Sequence, residues 1–290
     1  MIISASYRTD IPAFYPGWFV NRLRVGWCRT VNPYGGPPGR VDLTPGAVDG
    51  FVFWTRNLEP FAEALDEVTA RAIPFVVQFT VTGYPRALER SVIEPARAVA
   101  QLRWLRGRWG PRAAVWRYDP IALTSLTPPE WHETTFAGLA RALEGLTDEV
   151  VVSVMRPYRK TARNLDAAAR AHGFTWRDPE PEEKQALVDR LSVLAAGHGM
   201  ALTLCTQPGL NGPPAACVDA RRLSDVAGRP VAARVKGNRP GCACAEYRDI
   251  GAYDTCPHGC VYCYAVTGRD AARRRFQLHD PDGEFLIAGP

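Results

Sequence analysis

The stretch "PFVVQFTVT" (74–82) decides the fold, because Phe75, Val76, Val77 and Phe79 put apolar side chains on both of its alternating faces. A strand with one wet face alternates apolar and polar residues; a strand covered on both faces does not. Six further runs share this character: "IISAS" (2–6), "WCRTVN" (27–32), "GFVFWT" (50–55), "AAVWRY" (113–118), "EVVVSVM" (149–155) and "MALTLCT" (200–206). Helical spacing fills much of the chain between them, over 58–72, 94–110, 128–146 and 182–199, with Pro near several starts and Gly near several ends. Strand–helix alternation of this kind predicts an α/β fold with parallel strands. Seven strands plus one near the C-terminus suit a (β/α) barrel, complete or partial.

The 290 residues suffice for a barrel. No run reaches the roughly 18 apolar residues that a membrane-spanning helix needs. The opening "MIISASYRTDIP" has no basic region followed by an apolar one, so no signal peptide is expected and the chain reads as cytoplasmic. Arg supplies 32 of the 35 basic residues. A basic excess built this way reads as solvated surface before it reads as a nucleic-acid track.

In a parallel barrel the functional rim lies at the C-terminal strand ends. Polar residues collect there: Ser4, Ser6, Arg8, Thr9 and Asp10 after the first run, then Trp54, Thr55, Arg56 and Asn57. Gln78, Thr80, Thr82 and Tyr84 follow, then Arg117 and Asp119, then Ser153, Arg156, Tyr158 and Lys160. Buried polar groups are costly unless they pair or bind something. Arg8–Asp10 and Arg117–Asp119 can pair locally; as a set, the five strand ends point to a polar pocket. The candidates for catalysis or substrate contact are Arg8, Asp10, Arg56, Arg117 and Asp119, and for cofactor contact Ser6, Thr55 and Thr80.

Seven of the eight cysteines lie between 205 and 263, and clustering of this kind in a cytosolic chain points to metal or redox chemistry. In "YDTCPHGCVYCYA" (253–265), Cys256, Cys260 and Cys263 stand as C-x3-C-x2-C. Structural zinc favours two close pairs, four ligands in all. Three crowded thiols suit a [4Fe–4S] cube with one iron left open. An iron–sulfur cluster is therefore preferred to zinc here, with His258 packing or hydrogen-bonding nearby. Cys205, Cys217, Cys242 and Cys244 can make a second metal site, an auxiliary cluster or zinc, or remain buried thiols; Cys28 reads as core. Residues 1–206 are read as the barrel body. Residues 207–290 are read as a Cys-rich region packed on the barrel and supplying its last strand.

The chain resembles the bacterial and archaeal DUF1848 family, a domain of unknown function. The matching pieces are "ISASYRTDIPAFY", Asn32-Pro33, "FVFWTRN", "QFTVTGY", "WRYDP", Cys217 with Asp219, and "CAC…DIGAYDTCPHGCVYCYA". The cysteine loop also resembles that of radical S-adenosylmethionine enzymes, with Tyr262 as the aromatic residue before the third cysteine. "GCVYCYA" is most similar to the spore-photoproduct-lyase-like branch. In that branch the loop follows the first barrel strand, and stretches like "FTVTGYPRALERSVIEP" and "RYDPI" come after it. The motif order here therefore reads as a circularly permuted radical-enzyme barrel.

This resemblance implies a [4Fe–4S] cluster on Cys256, Cys260 and Cys263, with S-adenosylmethionine at the open iron. It implies a deoxyadenosyl radical that takes hydrogen from substrate, and Tyr262 packed near the adenine. An electron donor such as ferredoxin or flavodoxin would be needed. No Gly-Gly-Glu signature for the methionine amine is present. The substrate is not legible, although likeness to a DNA-lesion enzyme raises nucleic acid. The alternatives are a non-catalytic iron–sulfur protein for electron transfer or redox sensing, and a zinc-stabilised binding protein.

Overall fold

Hydrophobic strands that need cover on both faces assemble into one seven-stranded sheet in a computed structural model, which describes residues 1–32 and 35–287. Pro33 of the Asn32-Pro33 pair lies outside the described residues. The sheet contains β1 (Ile2–Ala5), β4 (Gly50–Thr55), β5 (Phe75–Thr80), β6 (Ala114–Ile121), β7 (Glu149–Val154), β8 (Ala201–Leu204) and β9 (Tyr247–Asp249). Its spatial order is β8-β7-β6-β5-β4-β1-β9, and every neighbouring pair is parallel. The last strand in sequence therefore lies beside the first.

One expected barrel strand lies elsewhere. The run at 27–32 forms β2 (Trp27–Thr30), which pairs antiparallel with β3 (Gly39–Asp42) in a separate two-stranded sheet. Its burial alternates, with Cys28 enclosed and Arg29 exposed, as an edge ribbon requires. Cys28 is fully buried in the main core, and burial pushes its thiol up to about 12.

Helices α1 (Ile11–Phe14) and α2 (Pro16–Val25) follow β1. Then come α3 (Ala62–Ala70), α4 (Pro95–Trp109), α5 (Pro129–Leu143), α6 (Arg159–His172) and α7 (Pro181–Gly197). Proline opens α2, α4, α5 and α7, where its missing N–H costs nothing. The helices cover one sheet face through Phe51, Phe53, Phe75, Val77, Phe79, Trp116 and Val152.

The opposite face changes character along the strands. Its first layer is apolar, Ile2, Val52, Val76, Val115 and Val151, and is covered by Cys217, Val218, Leu223 and Ala245. Leu223 lies on α8 (Ala220–Ala227), which Asp219 caps by accepting from the Arg221 N–H. One pleat further on, the same face carries Ser4, Trp54, Gln78, Arg117 and Ser153. A final helix, α9 (Arg269–Gln277), packs back on the N-terminal segment, with the Phe276 ring edge-on to Phe14 and Tyr15. No helix among the described residues is long and apolar enough to cross a membrane.

Candidate metal centre

The loop after β9 turns back toward β1 on a buried carboxylate. Asp249 accepts from the Ser4 and Ser6 hydroxyls at 2.7 Å each, from the Tyr7 N–H at 3.1 Å and from the Gly251 N–H at 3.0 Å. Burial pushes its pKa up, and Arg8 at 3.7 Å and these donors pull against it. Gly251 sits so close to this seam that a Cβ would lie 2.0 Å from the Ser6 Oγ. Further along, Asp254 closes the loop: its N–H donates to the Ala265 carbonyl at 2.9 Å, and its carboxylate accepts from the Thr267 N–H and hydroxyl.

Within that closed loop, Cys256, Cys260 and Cys263 are half-buried and line one cavity of about 200 Å³. The other walls include Ala167, Ala168 and Ala171 of α6, with Arg90 and Arg269. Burial pushes all three thiols up, Cys260 to about 12, and Cys256 and Cys260 are raised further by neighbouring loop thiols. Gly259, with φ at +77°, makes the turn, and a Cβ there would lie 2.6 Å from the Arg269 Cδ. The adjoining Arg269 Nε is buried with no hydrogen-bond partner among the described residues.

Two buried networks hold the loop in place. Asp10 caps α1 through the Ala13 N–H at 2.9 Å, accepts from the Arg56 N–H at 2.8 Å, and meets His258 Nε2 at 2.8 Å. The other His258 nitrogen faces the Ser91 carbonyl at 3.3 Å, so both ring nitrogens are engaged. Arg56 donates to Glu89 at 2.7 Å, to the Tyr262 hydroxyl at 2.7 Å and to Thr82 at 3.3 Å. Tyr262 also donates to Glu89, and its ring packs 5.5 Å from Tyr84. The Tyr262 side chain is thus enclosed. Beside it, Arg56, Thr80, Thr82, Tyr84 and Glu89 line a second cavity of about 270 Å³.

The remaining site candidates divide between loop anchors and the sheet's polar face. Thr55 serves its own loop, donating to the Asn57 carbonyl at 3.0 Å and accepting from the Asn57 N–H at 2.9 Å. Arg8 turns to Asp249 rather than Asp10, and its guanidinium stacks over Tyr7 and Tyr253, both at 5.3 Å. Arg117 does pair with Asp119, and also donates to Gln78 at 3.1 Å and to the Cys217 sulfur at 3.0 Å. Its guanidinium lies 4.8 Å from the Trp54 ring centre, and Asp119 accepts in addition from Ser153.

Cys205, Cys217, Cys242 and Cys244 gather below Arg117, apart from the loop cysteines. Cys205 and Cys217 stand 3.7 Å apart, sulfur to sulfur. Contact with Cys217 and burial push Cys205 up; Cys217 and Cys244 each have one thiol neighbour that lowers them, but a second thiol and burial leave both raised, whereas Cys242 is lowered to about 6, chiefly by Cys244. Among the described residues, no three His, Cys, Asp or Glu side chains already converge on one point as ligands of a single ion.

The model of a family described as a domain of unknown function, DUF1848, matches residues 2–265. The chain belongs to that family. The match takes in the whole DUF1848 sheet, the cysteine loop and all eight cysteines. No curated protein matches the chain.

Proposed function

We propose that this DUF1848 protein is an iron–sulfur enzyme of the radical S-adenosylmethionine type, with a [4Fe–4S] cluster on Cys256, Cys260 and Cys263. The observation that carries the reading is three thiols of one closed loop lining one cavity, in the loop that follows β9, the edge strand beside β1. Taken in space from β9, the strands run β9, β1, β4, β5, β6, β7, β8. That order supports a partial barrel whose first strand and cluster loop have moved to the C-terminal end of the chain.

The residues around the cavity fit the group. Thiolates at three corners of a cube stand farther apart than the ligands of one ion, so thiols that share a cavity without converging suit a cluster. Arg269 Nε is a buried donor without an acceptor among the described residues, and Arg90 adds a second positive wall. Both suit an anionic cluster. When bound, such a cluster supplies an open iron and one electron at low potential.

The chain's own residues then have separable tasks. Asp10 and His258 fix the loop between its first two cysteines. Arg56, Glu89 and Tyr262 anchor the stretch between the second and third. Ser153 and Asp119 present polar atoms on the open sheet face, within reach of a substrate entering from the strand ends. At that rim Arg8, Lys160 and Arg239 each stack on a tyrosine ring, at 5.3, 5.5 and 5.2 Å from its centre. Cations held against aromatic faces suit an anionic substrate with planar rings, nucleic acid among them. A small one-electron carrier protein, of the ferredoxin or flavodoxin kind, is the partner this chemistry requires.

The test is made on anaerobically purified protein. Four irons and four sulfides per chain are expected on the loop. After dithionite reduction, the electron paramagnetic resonance signal should change on adding S-adenosylmethionine. A cluster signal that does not respond would replace the enzyme by an electron carrier. A loop without iron and sulfide would end the proposal.

A further inference from the structure

Four cysteines remain outside the loop, and they come from three separate segments. Cys205 directly follows β8, one edge of the sheet. Cys217 lies in the segment that covers the sheet's apolar layer. Cys242 and Cys244 lie on the arm that leads into β9, the other edge. That arm is built as a hairpin: the Lys236 N–H donates to the Cys244 carbonyl at 2.9 Å, and the Glu246 N–H to the Arg234 carbonyl at 2.8 Å. Arg234 and Lys236 both pair with Glu246. Gly237 packs so tightly on the returning strand that a Cβ would meet the Cys242 carbonyl oxygen at 2.2 Å.

The four cysteines share one buried cluster, with Cys217 and Cys244 inside it and Cys205 and Cys242 packed against it. Cys205 and Cys217 stand 3.7 Å apart, sulfur to sulfur. Donors are aimed at two of them: the Val218 N–H at the Cys244 sulfur (3.4 Å) and the buried Arg117 guanidinium at the Cys217 sulfur (3.0 Å). A thiolate accepts such donors better than a neutral thiol does. A tetrahedral zinc bonded to sulfur at about 2.3 Å holds its thiolates about 3.8 Å apart. The Cys205–Cys217 spacing already matches that edge. Among the described residues the four do not yet converge on one point, so closure requires Cys242 and Cys244 to rotate inward on their hairpin arm.

We propose that Cys205, Cys217, Cys242 and Cys244 bind one structural zinc ion, independent of the Cys256–Cys263 loop. The ion ties the end of β8 to the arm entering β9 and so links the two open edges of the sheet. Arg117 offsets part of the charge of four thiolates around one divalent ion.

The test separates this site from the loop. The triple variant Cys256→Ala, Cys260→Ala, Cys263→Ala should retain one zinc per chain and contain no iron. Cys217→Ser with Cys244→Ser, made in the same background, should lose the zinc. Should either variant fail to fold, the unmodified protein serves: titrating its thiols with an organomercurial should release one zinc as four are consumed. Iron in the triple variant, with or without sulfide, overturns the proposal. So does unmodified protein that carries no zinc and whose four non-loop thiols in this region react freely. Neither result bears on whether the loop carries a cluster.

Discussion

Arg56 and Glu89 form an ion pair 33 residues apart in sequence, almost wholly out of water, with Tyr262 and Thr82 completing the shell. Burial works against the guanidinium charge, yet the nearby Glu89 carboxylate and its neighbours hold the Arg56 pKa well above its usual value. Removing one partner of such a pair strands the other charge. Glu89→Gln should therefore lower unfolding stability by about 3–5 kcal/mol in urea titrations, and Arg56→Met combined with Glu89→Met should recover part of that loss. An unchanged midpoint for Glu89→Gln would show that the pair does not hold the loop. At the loop itself, Cys260→Ala should abolish the iron–sulfur absorbance and signal, and full retention of both would remove it as a ligand. Sequence position at a strand end was enough to single out Arg56. Glu89 was not legible, because nothing local in "RALERS" says that its carboxylate folds inward. Asp249 was hidden for the same reason, and His258 was expected to hydrogen-bond but without its partner: Ser4, Ser6 and Asp10 lie more than 240 residues away.

Helix α5 carries a histidine whose surroundings fix its charge. His132 is fully buried, Nδ1 accepts from the Tyr118 hydroxyl at 2.8 Å, and Nε2 donates to the Ala122 carbonyl at 3.2 Å. Burial lowers its pKa from 6.5 to about 4. The folded state thus keeps the ring neutral, while the unfolded chain protonates it below about pH 6.5. Stability present above that pH is lost as the pH falls toward 4, by up to about 3 kcal/mol. Denaturation curves between pH 8 and 4 should decline less steeply for His132→Gln than for the parent, and parallel declines would exclude His132 as the source. The β1–β9 seam has its own weak point. Gly251→Ala drives a methyl into Ser6 and should cost about 1–3 kcal/mol, read as a lower melting temperature. Most sheet strands were legible because apolar residues on both faces mark them. The run at 27–32 misled because Trp27, Cys28 and Val31 have the same composition, while its partner β3, "GRVD", is too short and polar to reveal an antiparallel ribbon.

The parallel neighbours β9 and β1 come from opposite ends of the described chain, so chain order and spatial order differ by one cyclic shift. A permuted protein that opens at Pro230, runs through Ile287, and rejoins Met1 by a flexible Gly/Ser linker should restore sequential order. Gly228, Arg229 and Pro230 are exposed, so the cut there disturbs little. Its far-ultraviolet circular dichroism and melting temperature should match the parent's within a few degrees, and a molten or aggregated product would show that the native chain order is needed for folding. The alternation of strands and helices made the α/β class legible. The short β9 was foreseen only as one more strand near the C-terminus, since three residues carry no periodic signal and only pairing with Ile2, Ile3 and Ser4 defines them.

That cyclic shift also sets a timetable. A ribosome delivers β1 through β8 before any of the seven clustered cysteines except the one at 205 is far advanced. Most of the sheet and its helical cover can then be compact while the sulfur-bearing segment is still being made. Reactive thiols meet a finished cradle rather than a loose chain, which shortens the interval in which they are open to oxidation or to scavenging by the wrong metal.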